Sequence, residues 1–193
     1  DLGPDDPAAL HLMCEAMKLA FRDADAYVAD ADAMAGVSAA DLLDDGYLAN
    51  LAELIDPSRA QDFGAGSPKR GGTVYLCAAD SDGMMISYIQ SNYEGFGSGV
   101  VVPGTGIHLQ NRGLGFTLEP GHPNQIGPGK RPFHTIIPAF AFKKDMPGCQ
   151  VRATAIEQAC PYEPWLSFGL MGGGMQPQGH VQIILNLIDF DMG

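Results

Sequence analysis

The sequence predicts an α+β chain, helical through its first seventy residues and built of strands and glycine loops from Thr73 onward. Three observations carry that prediction. Apolar residues recur at three- and four-residue steps near the N-terminus, the period of a helix face. Two runs rich in β-branched and aromatic residues flank Asp80-Ser81-Asp82-Gly83, which reads as a hairpin turn. Beyond residue 93 glycine and proline become dense, and the apolar runs between them are short.

In chain order, Leu10, Met13, Cys14, Met17, Phe21, Ala24, Tyr27 and Val28 form one stripe of a first helix. Ser38 and Asp41 stand at capping-box spacing before a second helical stretch over 42–55, and Asp56-Pro57 stops it. Both are ordinary core faces with no chemistry attached. A small-residue run, Phe63-Gly64-Ala65-Gly66-Ser67-Pro68, leads through Gly71-Gly72-Thr73 into a strand over 74–80. After the turn, residues 84–91 form its partner, ending at Ser91. Gly95, Gly97, Gly99, Gly104, Gly106, Gly113 and Gly115 are spaced too irregularly for a repeat. Residues 136–143 and 165–171 read as two further strands. Gly172-Gly173-Gly174 then turns into an amphipathic helix carrying Val181, Ile183, Ile184, Leu187 and Ile188. Four strands are too few to complete a pair of packed sheets, so the chain is expected to be a fragment of a larger protein.

Composition narrows the function classes. With 46% hydrophobic and 18% charged residues the chain is globular rather than disordered. Its net charge of −12 is uneven: 14 acidic and 5 basic residues precede Thr73, against 9 and 6 from Thr73 onward. An acidic chain with no basic stripe argues against nucleic acid and anionic membrane surfaces as partners. The more balanced second part is where a charged substrate would be selected. No apolar stretch approaches the ~20 residues of a membrane span. The acidic start, Asp1-Leu2-Gly3-Pro4-Asp5-Asp6, lacks the basic and apolar regions of a signal peptide, and the compartment stays open. Cys14, Cys77, Cys149 and Cys160 contain no Cys-x-x-Cys pair; reduced, buried thiols are the expectation and a Cys149–Cys160 disulfide the alternative.

Metal and nucleotide chemistry find no motif. His11, His108, His122, His134 and His180 are scattered without zinc spacing. Asp80-Ser81-Asp82-Gly83 resembles the opening of a calcium loop but lacks the later Glu. The glycines at 95–99 do not fit a dinucleotide fingerprint, so no cofactor is expected.

Acyl transfer finds a candidate for each part. If the chain breaks before Thr73, one residue gains a hydroxyl nucleophile and a free α-amine as its base. That amine has a reference pKa near ~8, so much of it is neutral at physiological pH. The alternative is a β-branched residue that merely opens a hairpin. Ser91, at the end of the paired strand, would stand beside Thr73 and orient it. Negative charge developing on a carbonyl oxygen needs fixed N–H donors, and Gly172-Gly173, between a strand and a helix start, would supply them. The alternative there is a tight turn that needs glycine for its conformation.

Several stretches decide between these alternatives: Asp80-Ser81-Asp82-Gly83, Phe96-Gly97-Ser98-Gly99-Val100-Val101, Gly104-Thr105-Gly106-Ile107, Leu109-Gln110-Asn111-Arg112, Gly127-Pro128-Gly129-Lys130-Arg131-Pro132, and Met171 through His180. In content and order, residues 73–193 resemble the small subunit of the γ-glutamyltranspeptidase family. Residues 11–60 resemble the end of that family's large subunit. The resemblance implies a four-layer αββα sandwich of the N-terminal nucleophile hydrolase type, present here in part. It implies a 1–72 region ending in a processing linker and a 73–193 catalytic region, cut from one precursor, with the rest of both subunits as partners. It makes Thr73 the autoprocessing nucleophile, Ser91 the hydroxyl beside it, and Gly172 and Gly173 the oxyanion donors. The implied substrate is a γ-glutamyl or related acyl amide, with hydrolysis or transfer as the reaction.

Departures from the family pattern redirect the specificity. Thr73-Val74-Tyr75 stands where strict γ-glutamyl enzymes have Thr-Ser/Thr-His. Gly115 aligns with the Asp that grips the substrate amine, and His134-Thr135 with two serines that hold the α-carboxylate. Asn111 is retained, Arg112 replaces an uncharged or acidic residue, and the family's carboxylate-binding Arg lies upstream of this chain. Residues 145–163, with Cys149 and Cys160, are longer than the family hairpin. Asn111, Arg112, His134 and Thr135 are therefore the expected substrate contacts. Losing an acid and gaining Arg112, with Lys130 and Arg131 nearby, suits an acyl carboxylate better than an ammonium, because a buried ammonium without a partner is costly. A glutaryl-like acyl group, as in the cephalosporin-acylase-like branch, is expected. The rival expectation is a truncated domain that packs against a partner and never processes.

Overall fold

Residues 2–3, 5–34, 36–63, 72–143 and 163–192 are described by the computed structural model. Helix α1, Pro7–Tyr27, starts where Asp6 accepts the Ala8 N–H at 2.8 Å and Pro7 takes a first-turn position that needs no donor. Its buried face differs from the apolar stripe. Met17 and Leu19 are buried, but so are Glu15 and Asp23, while Leu10 is exposed. Both acids are satisfied. Glu15 accepts Lys18 Nζ at 2.7 Å and Gln61 N at 3.1 Å. Asp23 accepts the Tyr47 hydroxyl at 2.7 Å and Arg22 at 3.1 Å. The Lys18 ammonium, above all, holds the Glu15 carboxyl below the usual carboxylate range.

The second helical stretch divides into α2, Ala39–Leu42, and α3, Asp45–Ala52. The capping box at its start forms as expected, with Ser38 Oγ accepting Asp41 N and Asp41 Oδ2 accepting Ser38 N. The break comes from a second cap: Asp44 Oδ1 accepts Tyr47 N at 2.9 Å, which restarts the helix.

Strands β1, Gly72–Ala79, and β2, Met85–Tyr93, pair antiparallel. Their turn is held by Asp80, whose Oδ1 accepts Asp82 N and Met84 N at 3.0 and 2.9 Å. Strands β3, Ala139–Lys143, and β4, Glu163–Phe168, form a second antiparallel pair. β3 starts three residues later than expected, directly after Pro138, which has no N–H for a ladder. Side chains join the pairs: Ser167 Oγ donates to Ile86 O at 2.9 Å, and Ser87 Oγ donates to Phe168 O at 3.4 Å. A 3₁₀ turn, Gly173–Met175, then leads into α4, Gln176–Ile188.

Cys14 is half-buried and Cys77 exposed, so the expectation of buried thiols fails at Cys77, which lies in the outer half of the hairpin. Cys149, Cys160, the linker residues 64–71 and most of the 145–163 segment lie outside the described residues. Among the described residues no helix is long and apolar enough to cross a membrane. Whole faces are uncovered, including Val74, Leu76, Ile86 and Tyr88 on one side of the hairpin.

Two glycines show where backbone must approach side chains. A Cβ on Gly169 would fall 2.4–2.9 Å from three atoms of the Tyr75 ring, which is wedged between strands. A Cβ on Gly179 would meet only the mobile end of Leu170. In the full-length protein, Gly169→Ala should lower stability by about 1–3 kcal/mol. Gly179→Ala should stay near wild type, because alanine gains about 0.5–1 kcal/mol in a helix while Leu170 turns aside. Thermal melts of both variants check this; equal losses would contradict the Tyr75 wedge.

Candidate active site

The β1–β2 register builds the site. Thr73 pairs with Ser91, but Gly72 pairs with Tyr93, so Asn92 is an extra residue opposite the Gly72–Thr73 peptide bond. A bulge at that point breaks the ladder and re-aims the side chains around it. Thr73 Oγ1 donates to Ser91 Oγ at 3.1 Å, and Ser91 Oγ accepts Tyr93 N at 2.9 Å. The expected juxtaposition of Thr73 and Ser91 is therefore present in the structure.

Beyond the bulge, Tyr93 has φ +78°, a conformation that a bulky residue adopts only under constraint. The constraint is visible on both sides. Asn111 Oδ1 accepts Glu94 N at 3.0 Å and Asn111 N donates to Asn92 O at 3.2 Å, bracketing Tyr93. The Arg112 guanidinium lies over the Tyr93 ring, 5.0 Å from its centroid. Asn111, expected to contact substrate, braces the strand end with its amide.

Arg112 is 2% exposed. Its Nη1 donates to Thr135 Oγ1 at 3.0 Å, and its Nη2 has no partner among the described residues. Burial lowers the guanidinium's pKa, yet an arginine stays charged at neutral pH. The other two cations expected in the pocket are engaged elsewhere. Lys130 Nζ donates to Gln125 O at 2.9 Å, and Arg131 is paired with Asp30. That leaves Arg112. At Gly115 a Cβ would lie 3.3 Å from Phe133 O, so the main chain closes in where the family's amine-gripping acid would start.

His134 and Thr135 belong to a stretch, 131–138, without regular secondary structure. His134 is exposed, yet partial desolvation and then the Arg112 charge lower its pKa below 6.5, leaving the imidazole neutral at pH 7. Three residues on, Ile137 N donates to Gln176 Oε1 at 2.9 Å. Gln176 is fully buried at the start of α4, directly after the Gly172–Gly173 turn, where φ is +136° and +60°. Thr73 and Tyr75 lie on the same face of β1, and Tyr75 packs on Gly169, three residues before Gly172. The glycine turn thus follows directly on the segment that lies against that face. Among the described residues no group of three His, Cys, Asp or Glu could hold a metal ion.

A sequence profile described as gamma-glutamyltranspeptidase matches residues 1–193. The chain belongs to the γ-glutamyltranspeptidase family. It is 38% identical over 184 residues to the oxamate amidohydrolase proenzyme of Klebsiella pneumoniae, covering 95% of this chain and 31% of that one. It is 36% identical over 186 residues to the glutathione hydrolase-like YwrD proenzyme of Bacillus subtilis, covering 94% and 31%. Among solved structures it resembles the cephalosporin acylase from Bacillus halodurans, with a TM-score of 0.77 and 45% identity over 98% of this chain and 31% of that one. The chain therefore spans about a third of the length of these family members.

Within this family context, sequence reasoning missed Tyr93, Gln176 and Asp30. Gln176 lies inside the stretch from Met171 to His180 that carried the resemblance, so it was in view without a role. Nothing local marks Tyr93, because its conformation depends on Asn111 and Arg112, some twenty residues away in sequence. Arg112→Gln should raise the His134 pKa while leaving it below 6.5, since desolvation remains. An NMR titration of the imidazole reads this; a fall, or no movement, would contradict the influence of the Arg112 charge on His134.

Proposed function

We propose that the full-length protein is an N-terminal threonine amidohydrolase or acyltransferase whose acyl group carries a carboxylate and no amine. The observation that carries the reading is Arg112, a buried cation whose Nη2 has no partner among the described residues, reached from Thr73 through Ser91 and Tyr93. An unpaired buried charge is costly, so an anionic partner from the substrate is favoured. Gly115 supports the same reading from the other side, because no acid is available there for an ammonium. One relative is named an oxamate amidohydrolase, and the structural neighbour a cephalosporin acylase.

Maturation begins with attack of Thr73 Oγ1 on the Gly72 carbonyl carbon. The bond from that carbon to the Thr73 nitrogen breaks, the nitrogen takes the hydroxyl proton, and water hydrolyses the resulting ester. The bulge favours this by freeing the Gly72–Thr73 peptide from regular pairing. The new amine then takes the Thr73 hydroxyl proton as the oxygen attacks the substrate amide, and passes it to the leaving amine. Ser91 orients the nucleophile, and Gly172 and Gly173 N–H groups receive the oxyanion. Arg112 and Thr135 hold the acyl carboxylate with His134 alongside, and Asn111 braces the strand end. In this reading 1–72 ends one subunit, 73–193 opens the other, and the remainder of both completes a four-layer αββα sandwich over the exposed faces.

Purified full-length protein assayed on oxamate, glutaryl-p-nitroanilide and γ-glutamyl-p-nitroanilide tests the proposal. One of the two amine-free amides should be preferred by kcat/KM. Arg112→Gln should then lower kcat/KM on it by about 10²-fold, in line with losing a charged contact. A strong preference for the γ-glutamyl substrate, or indifference to Arg112→Gln, would overturn the assignment of the acyl group.

A further inference from the structure

Asp30 lies on the far side of the processing point from the site, yet it holds the substrate-facing segment. Its Oδ2 accepts the Arg131 main-chain N–H at 2.8 Å and Arg131 Nε at 3.3 Å, while its Oδ1 accepts Arg131 Nη2 at 2.8 Å. One carboxylate thus fixes both the side chain and the backbone of a residue 101 positions away. Bidentate pairing of a guanidinium with a carboxylate fixes direction as well as distance. Asp30 also stands at the N-cap of the 3₁₀ turn Ala31–Ala33, where an Asp side chain ordinarily accepts from its own turn. The Asp32 N–H of that turn has only a minor hold on the carboxylate, whose oxygens are directed chiefly to Arg131.

The segment 131–138 has no ladder to set its path. Among the described residues it has three hydrogen-bonded attachments to the rest of the chain: Arg131 to Asp30, Thr135 to Arg112, and Ile137 N to Gln176. The last two come from the region after Thr73. The first comes from the region before it and is the attachment nearest the entry of the segment. Asp30 is only 9% exposed at its side chain, so the anchor is the fixed partner and the exposed Arg131 the one that is held.

We propose that Asp30 is a positioning residue that acts through Arg131, from the upstream subunit, to set the His134–Thr135 wall and so the affinity for the acyl donor. The proposal rests on the acyl site described under Proposed function. It also means that separating the two cleaved chains would release one wall of the site while leaving the nucleophile in place.

The test uses the full-length, processed protein. Asp30→Asn should raise KM for the preferred amide of the three by about tenfold with kcat within about twofold, because binding geometry and not the nucleophile is altered. Arg131→Gln should do the same, and the double variant no more than either alone. Hydrogen exchange gives a readout independent of turnover: the 131–137 peptide should exchange faster in Asp30→Asn, with the hairpin peptides around Thr73 and Ser91 unchanged. If no substrate is turned over by the wild type, the acyl-site reading fails while the exchange result still judges the clamp. Unchanged exchange at 131–137, additive single variants, or a fall in kcat at constant KM would overturn the proposal. Should Asp30→Asn not fold, Arg131→Lys, which keeps the charge but loses the fork, carries the same expectations.

Discussion

Thr73 faces Ser91 while Gly72 faces Tyr93, and one strand must therefore absorb Asn92 at the position where the peptide bond before Thr73 lies. Much of the site follows from that mismatch. Tyr93 takes a positive φ, its N–H donates to Ser91 Oγ, and its ring becomes the floor for Arg112. An in-register hairpin would pair the Gly72–Thr73 peptide fully and leave Tyr93 extended. A conformation costing on the order of 1–3 kcal/mol persists only where its surroundings over-determine it. Here Asn111 and Arg112 do so together.

The same economy of support recurs along 131–138. A segment without secondary structure is placed by point contacts, and each contact comes from a different part of the chain: Asp30 before Thr73, Arg112 after the bulge, Gln176 at the start of α4. Gln176 joins that wall to the helix that begins just past the Gly172–Gly173 turn. The polar groups around the candidate pocket are linked side by side. Of the three cations expected at the pocket, Lys130 and Arg131 are committed to Gln125 and Asp30.

What could be read in the sequence was whatever local chemistry fixes. Asp80-Ser81-Asp82-Gly83 sets the hairpin turn, the period of two then sets the register, and the register brings Ser91 to Thr73. Ser38 and Asp41 announce a helix start for the same reason, since both partners lie within one turn. Legibility ended where partners are distant. Glu15 and Asp23 are buried because Gln61 and Tyr47 reach them, which apolar periodicity cannot register. The second helix broke at Asp44 because two caps competed within a few residues. Arg131 read as a pocket charge because its partner lies 101 residues upstream.

The account stands on the Thr73 hydroxyl carrying the acyl group in a chain that begins at that residue. Mass spectrometry of the full-length protein, quenched during turnover of an amide substrate, tests this most directly. The account predicts a fragment starting at Thr73 whose mass is increased by the acyl group, with the adduct mapping to Thr73. An intact, uncut chain that still turns over, or an adduct on another residue, would contradict it.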